Sequence, residues 1–327
     1  MTASNTSAAG SPPIGLLTFG ETMGLISAAG TGSLDYVRDF TFGIGGAESN
    51  VAIGAARLGA PVTWAGRIGP DAAGDLIERR LRAERINVLP TRDHAFTGLM
   101  VRHCRAGSAV HVDYHRTGSA GSRLTPSDLP PALIQRASIL HITGITPALS
   151  DSARHTVLHA VATARAAGVP VSLDINYRSK LWTRRQARPQ LLRLVSQADI
   201  VFAGTEEAQL VLDTGTTAAA SLAEGLALLG PKEAIIKAGP DGCVASIDGA
   251  ELVEPAPTVH VVDPVGAGDA FVAGYLAERM ADAEADQRLR TACAMGAYAV
   301  TVPGDCELLP TRRELDALLL PTGDVVR

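Results

Sequence analysis

The chain of 327 residues is long enough for one large α/β domain or two ordinary ones. Hydrophobic residues make up 46% of it but aromatic residues only 4%, which favours parallel strands under small-residue helices over an aromatic-rich β-sandwich. The net charge of −5, without a long basic tract, argues against nucleic acid as a partner.

Residues 1–13 are small and polar, and they show neither the basic start nor the apolar stretch of a signal peptide. Since no run of 18 apolar residues occurs, a membrane partner is not expected. The cysteines Cys104, Cys243, Cys293 and Cys306 form no C-x-x-C pair and are typical of reduced thiols. We therefore expect a mobile tail over residues 1–13 on a soluble, cytoplasmic protein.

From residue 14 onward, short apolar runs alternate with alanine-rich helical patterns. The predicted strands cover residues 14–19, 62–65, 138–142, 169–173, 199–202, 234–237 and 259–262. The clearest helical patterns cover residues 152–167 and 218–229. Alternation of this kind predicts an α/β fold with a mostly parallel sheet and helices on both of its faces.

Two segments, residues 21–43 and 97–116, interrupt this alternation because they look like strands without intervening helices. Val110, Val112 and Tyr114 show the period of two that a strand requires. We expect the two segments to form one small sheet, a lid that projects from a single catalytic domain over residues 14–320. Open α/β sheets bind ligands beyond the carboxyl ends of their strands, where the motifs below fall.

The most informative segment is VVDPVGAGDAF, which runs from Val261 to Phe271. It predicts an apolar strand, a turn of small residues and a helix with an apolar stripe at roughly 3.6-residue spacing. In the turn, Gly266, Ala267 and Gly268 leave backbone N–H groups uncovered at a helix N-terminus. Such a helix end attracts anions through hydrogen bonds and the helix dipole.

Asp269 follows this turn, and its sequence context has two interpretations. It could be the N-cap of the helix, a position that Asp often occupies. It could also accept the proton of an attacking alcohol beside a phosphate site, as phosphoryl transfer requires. The small residues before it favour the second interpretation, because a cap alone does not need a bare turn.

A second segment, GGAESN, begins with Gly45 and Gly46 and ends with Asn50 in the first turns of a predicted helix. The glycines could serve close packing of the helix on a strand, or the backbone and the Asn50 amide could bind sugar hydroxyls. Neither segment contains a P-loop or a G-x-G-x-x-G fingerprint. This argues against P-loop kinases and ordinary dehydrogenases.

In order and separation, the two segments resemble the paired signatures of the ribokinase-like (PfkB) carbohydrate kinases, over roughly residues 14–312. Within that family the chain looks most similar to the 2-keto-3-deoxygluconate kinases. The supporting runs are GETM at 20–23, GGAESN at 45–50, YHRTGSA at 114–120, HITGI at 141–145 and DINYR at 174–178.

The resemblance implies a ribokinase-like fold and transfer of the γ-phosphoryl group of MgATP to a primary hydroxyl of a 2-keto-3-deoxy sugar acid. It makes Asp269 the catalytic base and the backbone of Gly266, Ala267 and Gly268 the cradle of the transferring phosphoryl group. The sugar would be bound by Gly45, Gly46 and Asn50, by Tyr114 and Arg116 of the lid, and by Arg178.

Arg116 and Arg178 also give a physical reason to expect an acidic sugar. Two arginines on different elements can hold one carboxylate, and the planar guanidinium does so bidentately. A neutral hexose offers them no anion. The alternative for each is an exposed position, where arginines usually lie.

On the nucleotide side, Lys237, Gly239 and Gly242 of KAGPDG resemble the family's adenine-nucleotide loop, although such a turn needs no ligand. Glu207 matches the glutamate of the family's Asn-x-x-Glu element, which implies an indirect contact with Mg²⁺. Gly204 replaces the asparagine of that element, so the sequence departs from the family pattern there.

Met100 is a second departure, because related acid-sugar kinases often carry a substrate-facing tyrosine there. The main alternative is therefore a ribokinase-like kinase for a neutral sugar such as fructose or ribose. A non-catalytic sugar or nucleotide sensor is the second alternative, against which the intact GAGD run argues. A nucleoside kinase is disfavoured by the low aromatic content, which offers few platforms for a second base.

His103, His111 and His115 lie together in the lid, but no carboxylate or cysteine accompanies them at metal-binding spacing, so a metal site is not expected. A dependence on a monovalent cation stays open. An apolar face of the lid sheet predicts a homo-oligomer, a dimer or larger.

Overall fold

The computed structural model describes residues 14–104 and 110–318, so the tail predicted for residues 1–13 lies outside the described residues. The strands are β1 (Leu16–Phe19), β2 (Met23–Thr31), β3 (Phe40–Gly45), β4 (Val62–Ile68), β5 (Asn87–Arg92), β6 (Leu99–Cys104), β7 (Val110–His115), β8 (Ile139–Thr143), β9 (Val171–Asp174), β10 (Ile200–Gly204), β11 (Glu233–Lys237), β12 (Cys243–Ile247) and β13 (Ala250–Glu254). The helices are α1 (Ala47–Arg57), α2 (Ala72–Ala83), α3 (Pro131–Ile134), α4 (Thr146–Leu149), α5 (Asp151–Ala166), α6 (Arg184–Val195), α7 (Thr205–Leu212), α8 (Ala219–Ala227), α9 (Ala267–Met280), α10 (Ala285–Ala299) and α11 (Arg312–Leu318).

Within the described residues, the larger sheet has nine strands in the order β13-β12-β11-β10-β9-β8-β1-β4-β5. The seven strands from β11 to β5 run parallel, while β12 and β13 pair antiparallel at one edge. The expected mostly parallel sheet is thus confirmed, and six of the seven predicted strands overlap observed ones.

The seventh prediction, a strand over residues 259–262, is wrong. Val261 and Val262 are more than half exposed, and Val262 pairs only through its backbone N–H with the carbonyl of Val300. Pro255 and Pro257 separate this stretch from β13, and a proline cannot donate to a sheet ladder. The apolar pattern there belongs to a loop that leads into α9.

Helices cover both faces of the larger sheet. Neighbouring residues of each strand point to opposite faces, so each strand contributes apolar side chains to both. Leu16 packs in a core cluster with α1, α2, α9 and α10, whereas Leu17 packs in a cluster with α5, α6 and α8. Each large apolar side chain buried in this way contributes roughly 1.5–3 kcal/mol. Helix α9 is buried from Asp269 through Glu278, so it lies inside the molecule and does not present the single stripe that its sequence predicted.

The four-stranded sheet is built from the two segments that the sequence grouped as a lid. Its order is β3-β2-β6-β7, in which β2 pairs antiparallel with β3 and parallel with β6, and β6 pairs antiparallel with β7. One face carries the buried Met23, Leu25 and Met100, and the opposite face carries the half-exposed Phe40 and Phe42. We call this four-stranded sheet the lid sheet.

None of the helices in the described ranges has the length and apolar character that crossing a membrane would require.

Candidate active site

A cleft of about 1060 Å³ lies between the lid sheet and the carboxyl ends of the parallel strands. This is the edge at which open α/β sheets bind ligands. The side chains and backbone that line it come from four places: the lid sheet, the start of α1, the ends of β9 and β11, and the turn before α9. They include Met100, Tyr114, Arg116, Gly46, Asn50, Asn176, Arg178, Lys237, Gly266, Gly268 and Asp269.

The turn before α9 requires glycine at its first position. Gly266 is the N-cap residue and has a φ of 79°, in the left-handed region that side chains disfavour. A β-carbon there would also collide with the carbonyl oxygen of Asp305. No side chain caps this helix, so its first backbone N–H groups stay available to an anion in the cleft.

Asp269 lies in the first turn of α9, two residues after the helix begins at Ala267, so its interpretation as an N-cap is wrong. Its Oδ2 accepts a hydrogen bond of 2.8 Å from Nδ2 of Asn50, and its Oδ1 lies 3.4 Å from Nδ2 of Asn176. Burial raises the pKa of Asp269 to about 6, although the hydrogen bond from Asn50 opposes the rise. The carboxylate is therefore a base that ionises just below neutral pH.

Asn176 is a site residue that sequence reasoning missed, although it lies within the quoted run DINYR. Its φ of 38° is in the left-handed region, which asparagine tolerates better than most residues. This conformation brings its amide between the carboxylates of Asp174 and Asp269, 3.4 Å from an oxygen of each. A polar side chain directly after a buried strand was the available signal.

Lys237 ends β11 beside the turn before α9. Its Nζ donates to both carboxylate oxygens of Asp174, at 2.8 and 2.9 Å. The same Nζ lies 3.4 Å from the position that a β-carbon would take on Gly268. Burial alone would lower the pKa of Lys237, but Asp174 and Glu207 outweigh it and raise that pKa. A charged ammonium thus borders the uncapped N-terminus of α9.

The other two residues predicted on the nucleotide side lie in the turn between β11 and β12, outside the lining of the cleft. Gly239 has a φ of 60° and Gly242 a φ of 91°, so both have a conformational reason to be glycine. A β-carbon on Gly242 would in addition collide with the carbonyl of Glu254. The turn geometry therefore accounts for both glycines without a ligand.

Glu207 is bound to backbone groups at the edge of the cleft. Its Oε2 accepts from the N–H of Gly204 at 2.7 Å, and its Oε1 accepts from the N–H of Tyr177 at 2.8 Å. Burial raises the pKa of Glu207. Among residues 14–104 and 110–318, no three His, Cys, Asp or Glu side chains are grouped as a metal site. The donor set suits Mg²⁺ that arrives on phosphates and keeps its waters.

Gly45 and Gly46 lie where the lid sheet meets α1. A β-carbon on Gly45 would collide with Cε of Met100 and lie 2.5 Å from Oδ2 of Asp305. A β-carbon on Gly46, the N-cap residue of α1, would lie 2.6 Å from the carbonyl oxygen of Glu21. Close packing is thus a real reason for both glycines, and Gly46 also lines the cleft.

The two arginines expected to bind a carboxylate have different surroundings. Arg116 follows β7 and donates from Nε and Nη2 to Oε2 of Glu21, at 2.7 and 2.5 Å. Glu21 is buried and also accepts from the hydroxyl of Ser119. Arg116 is therefore not a surface arginine, since two of its nitrogens bind an internal carboxylate. Arg178 is exposed to the cleft, and its positive charge lowers the pKa of Asp269.

Tyr114 projects from the inner side of β7 with 41% of its surface exposed. The guanidinium of Arg116 and the ammonium of Lys180 each lie 5.6 Å from its ring centroid, within the range of cation–π attraction. Lys180 also donates to the carbonyl of Val112 at 2.9 Å. The end of the lid sheet is therefore tied to the loop that carries Arg178.

A buried cluster at the other end of the cleft has no counterpart in the sequence predictions. Arg102 of β6 forms one hydrogen-bonded ion pair with Asp263, and its Nη1 lies 3.8 Å from Oδ1 of Asp305. Burial raises the pKa of Asp305 to about 7, while Arg102 opposes the rise. Asp263 belongs to the run VVDPVGAGD, but nothing in the sequence linked it to a lid strand 161 residues earlier.

The histidines of the lid form a ring contact and not a metal centre in the part of the chain that the structure describes. His103 and His111 stack with ring centroids 5.3 Å apart, and Nε2 of His103 lies 3.8 Å from Oδ2 of Asp113. The four cysteines are free thiols, although Cys243 and Cys293 lie with their Sγ atoms 3.6 Å apart.

Phosphoryl transfer to an alcohol needs an anion cradle, a nearby cation and a carboxylate that can take the alcohol's proton. The cleft holds all three at the carboxyl edge of a parallel sheet, under a small second sheet. The fold and the site together define the class of ribokinase-like phosphotransferases.

Comparison with known proteins gives the family. Residues 15–312 match the pfkB family carbohydrate kinases, and the chain belongs to this family. It is 34% identical over 308 residues to 2-dehydro-3-deoxygluconokinase of Bacillus subtilis (strain 168), covering 93% of this chain and 94% of that one. It is also 33% identical over 298 residues to a fructokinase of Klebsiella pneumoniae, covering 84% and 91%.

Solved structures agree with this assignment. The 2-dehydro-3-deoxygluconokinase of Thermotoga maritima superposes with a TM-score of 0.87 at 25% identity, covering 93% of this chain and 99% of that one. A putative Ribokinase II from E. coli, solved in complex with ATP and Mg²⁺, shares the fold with a TM-score of 0.85 at 24% identity and coverages of 93% and 98%. The chain is a carbohydrate kinase, and the expected ribokinase-like fold is confirmed.

Proposed function

We propose that this kinase phosphorylates a 2-keto-3-deoxy sugar acid, 2-keto-3-deoxygluconate, on its primary hydroxyl to give the 6-phosphate. The observation that carries the proposal is the placement of Arg178 and Asp269 in one cleft. A cation open to the cleft can bind a substrate carboxylate while the buried base meets the hydroxyl at the other end of the sugar. The identity to the Bacillus subtilis enzyme supports the same substrate class.

In this mechanism Asp269 takes the proton of the attacking hydroxyl. Asn50 donates to one carboxylate oxygen and Asn176 approaches the other, so the carboxylate is held in a fixed orientation. Its pKa of about 6 leaves it mostly ionised at neutral pH, yet basic enough to accept a proton in the transition state.

The phosphate groups of ATP would lie on the uncapped first turn of α9, formed by Gly266, Ala267 and Gly268. Lys237, beside Gly268, would offset the charge that the phosphoryl oxygens carry during transfer. Mg²⁺ bound with the nucleotide supplies further charge neutralisation. Glu207 would act on it only indirectly, by fixing the backbone of Gly204 and Tyr177 at the mouth of the cleft.

The sugar would lie between the lid sheet and the start of α1. Gly45 and Gly46 would form the floor by their backbone, Asn50 would reach a hydroxyl, and Tyr114 would cover the ring from the lid. Arg116 would shape this end through Glu21, and with fewer free donors it would contribute less to carboxylate binding than Arg178.

A coupled kinase assay over a panel of sugars tests the substrate. The panel holds 2-keto-3-deoxygluconate, its C4 epimer, fructose and ribose, each with MgATP, and K⁺ is exchanged for tetramethylammonium to test the monovalent cation. We expect kcat/KM for the acids to exceed that for the neutral sugars by about 10–150-fold, the value of one charge-assisted hydrogen bond. A preference for fructose or ribose would overturn the substrate assignment.

The second candidate is a fructokinase, and the Arg116–Glu21 ion pair is the observation that favours it. Because an internal carboxylate already binds this arginine, only Arg178 remains as an open cation among the two predicted ligands. The 33% identity to the Klebsiella pneumoniae fructokinase also supports this second candidate. The same panel distinguishes the two candidates.

We further propose a homo-oligomer that pairs through the outer face of the lid sheet, where Phe40 and Phe42 are 46% and 45% exposed. Large apolar side chains grouped on one face often mark an interface. Sedimentation velocity should give a species of at least twice 33.9 kDa. A monomer at assay concentration would contradict this. The use of ATP and the free thiols support a cytoplasmic location.

A further inference from the structure

Arg102 is a buried cation of the lid sheet that the proposed chemistry does not use. It lies on the inner face of β6 with only 9% of its side chain exposed, far along the lid from Arg116. Its guanidinium binds Asp263 and approaches Asp305, neither of which belongs to the lid. The lid is thus attached to the core at two ends by two arginines, Arg116 at the sugar end and Arg102 near α9.

Asp263 holds the turn that precedes α9. Its Oδ1 accepts from the N–H of Val265 at 3.1 Å, and its Oδ2 accepts from the N–H of Gly304 at 3.2 Å as well as from Arg102. The carboxylate therefore fixes both the start of the turn and the loop after α10. A change in the position or charge of Asp263 moves the backbone that leads directly to Gly266.

Asp305 connects the same loop to Gly266. Its carbonyl occupies the space that a β-carbon on Gly266 would need, and its carboxylate lines the cleft close to Gly45. The negative charges of Asp263, Asp269 and Glu307 face it and raise its pKa further, whereas Arg102 opposes them. Without Arg102, the buried carboxylate of Asp263 would lose its cation and the pKa of Asp305 would rise further, next to the proposed place of the phosphate groups.

A purely structural ion pair would explain the burial of Arg102 but not its position. Buried ion pairs add little net stability compared with apolar groups of the same shape. An arginine that served only to close the lid over the sugar would bind at the sugar end, as Arg116 does. Arg102 instead reaches the two segments that pack on either side of the phosphate-binding turn.

We propose that Arg102 is a positioning residue through which the docked lid sheet sets the geometry and charge of the phosphate-binding turn, residues 263–268. When the lid is docked, Arg102 neutralises Asp263 and Asp305 and holds the turn in the conformation that accepts the phosphoryl group. Lid docking then controls the rate of phosphoryl transfer, in addition to covering the sugar. This rests on the proposed placement of phosphate at the N-terminus of α9.

The first test separates turnover from sugar binding with the variants R102Q, R102K and D263N. R102Q should lower kcat by about 10–150-fold, the range of a lost charge-assisted contact, and change the sugar KM by less than about threefold. R102K, which keeps the charge, should recover part of kcat. The control R38Q removes an exposed arginine of the same lid and should keep the wild-type kcat.

The second test asks whether Arg102 acts through Asp263. If it does, the double variant R102Q/D263N should be no slower than the slower single variant, because both remove the same interaction. Losses in kcat that multiply would overturn the proposal. So would an R102Q variant whose sugar KM rises while kcat stays unchanged.

Hydrogen exchange supplies a readout that global destabilisation would not mimic. In R102Q with MgATP, residues 263–268 and 300–305 should lose protection while strands β8–β10 keep it. Loss spread over the whole chain, or none at all, would contradict the proposal. If R102Q does not fold, the same hydrogen-exchange comparison is made with R102K and D263N.

The kinetic assays use whichever acceptor the wild-type enzyme phosphorylates best. A failure of the sugar-acid assignment therefore leaves this test intact. Conversely, if MgATP protects no part of residues 263–268 in the wild type, the placement of phosphate itself is wrong and the proposal fails with it.

Discussion

The pKa and the orientation of the Asp269 carboxylate depend on neighbours that lie far away in the sequence. Asn50, 219 residues earlier, donates to the carboxylate, and Arg178 and Lys237 lower its pKa, yet burial dominates and keeps that pKa at about 6. Burial disfavours the charged form of any carboxylate, so the closed surroundings of the base create its basicity.

Replacing Asp269 by Asn should remove the proton acceptor while keeping the shape of the side chain. We expect kcat to fall by about 10²–10⁴-fold, the usual effect of losing a general base, with little change in ligand affinity. Steady-state kinetics and calorimetric binding of the sugar check this. Turnover near the wild-type rate would show that another group takes the proton.

The pKa of Asp269 also predicts the pH dependence of turnover. Only the ionised carboxylate accepts a proton, so kcat should be constant above pH 7 and fall on the acid side with an apparent pKa near 6. At pH 5 about one-tenth of the plateau should remain, as for a single titrating group. A flat profile down to pH 5 would contradict the assignment of the base.

The two cleft arginines should respond differently to replacement by alanine. R178A should lower kcat/KM for acidic sugars by about 10–150-fold and leave kcat/KM for neutral sugars nearly unchanged.

R116A leaves buried Glu21 without its cation, so it should lower the free energy of unfolding by about 3–5 kcal/mol and reduce activity on both sugar types. The variant R116A/E21Q, which also removes the unpaired negative charge of Glu21, should recover part of that stability.

Sequence reasoning proposed those candidate site residues whose motif is local. The turn of Gly266 to Gly268 and Asp269 could be proposed because small residues before a helix have few other causes, and Gly266, Gly268 and Asp269 all line the cleft. The partner of Arg116 could not, since Glu21 lies 95 residues away and pairing over that distance depends on the tertiary fold. The same holds for Arg102, which on its own strand is only one polar residue in an alternating pattern.

Of the two sheets, the lid sheet has by far the smaller apolar core. Its core consists of Met23, Leu25 and Met100, with Val112 packed against them, whereas each face of the large sheet carries an extensive cluster. Small sheets of this kind are marginally stable alone, and the ion pairs Arg116–Glu21 and Arg102–Asp263 add to the attachment of this one.

We expect the lid sheet to exchange its amide hydrogens faster than β8–β10 in the free enzyme. Adding the sugar should protect residues 97–104 and 110–116, because Tyr114 and Arg116 border the cleft at that end. Hydrogen exchange with and without sugar, and with ATP alone as the matched control, measures this. Unchanged exchange in the presence of demonstrated sugar binding would mean that the lid is already closed.

Among the secondary-structure elements, the sequence predicted the alternating strands and helices in the middle of the large sheet well, but it predicted the strands at the sheet edges poorly. The strands in the middle of the sheet are rich in apolar residues and buried along their whole length, as is typical of parallel strands with both faces covered. Residues 259–262 look similar, but they leave β13 through two prolines and end as an exposed loop. Strands β12 and β13 were missed because they pair antiparallel at the edge, where one face needs no apolar residue.

At the scale of the whole molecule, the buried carboxylate of Asp269 has a cost in stability. An aspartate in the unfolded chain ionises near 3.8 and in the folded chain only near 6, so ionisation favours the unfolded state between these values. The destabilisation grows across that window and is complete above it, amounting to about 3 kcal/mol. The enzyme is therefore expected to be less stable at the pH at which it works than the same fold without the charge.

The variant D269N should accordingly stabilise the fold while abolishing most activity. We expect its free energy of unfolding in urea to exceed that of the wild type by as much as about 3 kcal/mol at pH 8, and by less than about 1 kcal/mol at pH 4. The control D316N, at an exposed position of α11, should show no difference at either pH. Equal stabilisation at both pH values would mean that packing, and not charge, is responsible.

The contact between Met100 and Gly45 has a consequence for the breadth of the enzyme's acceptor range. Cε of Met100 lies where any side chain at position 45 would begin, so an unbranched thioether above a bare backbone would set the width of the proposed sugar pocket. Methionine changes rotamer at little cost and fills irregular gaps, unlike a rigid aromatic ring. The pocket can thus adjust to epimers of one sugar, and selectivity among them would evolve most readily by exchange at position 100.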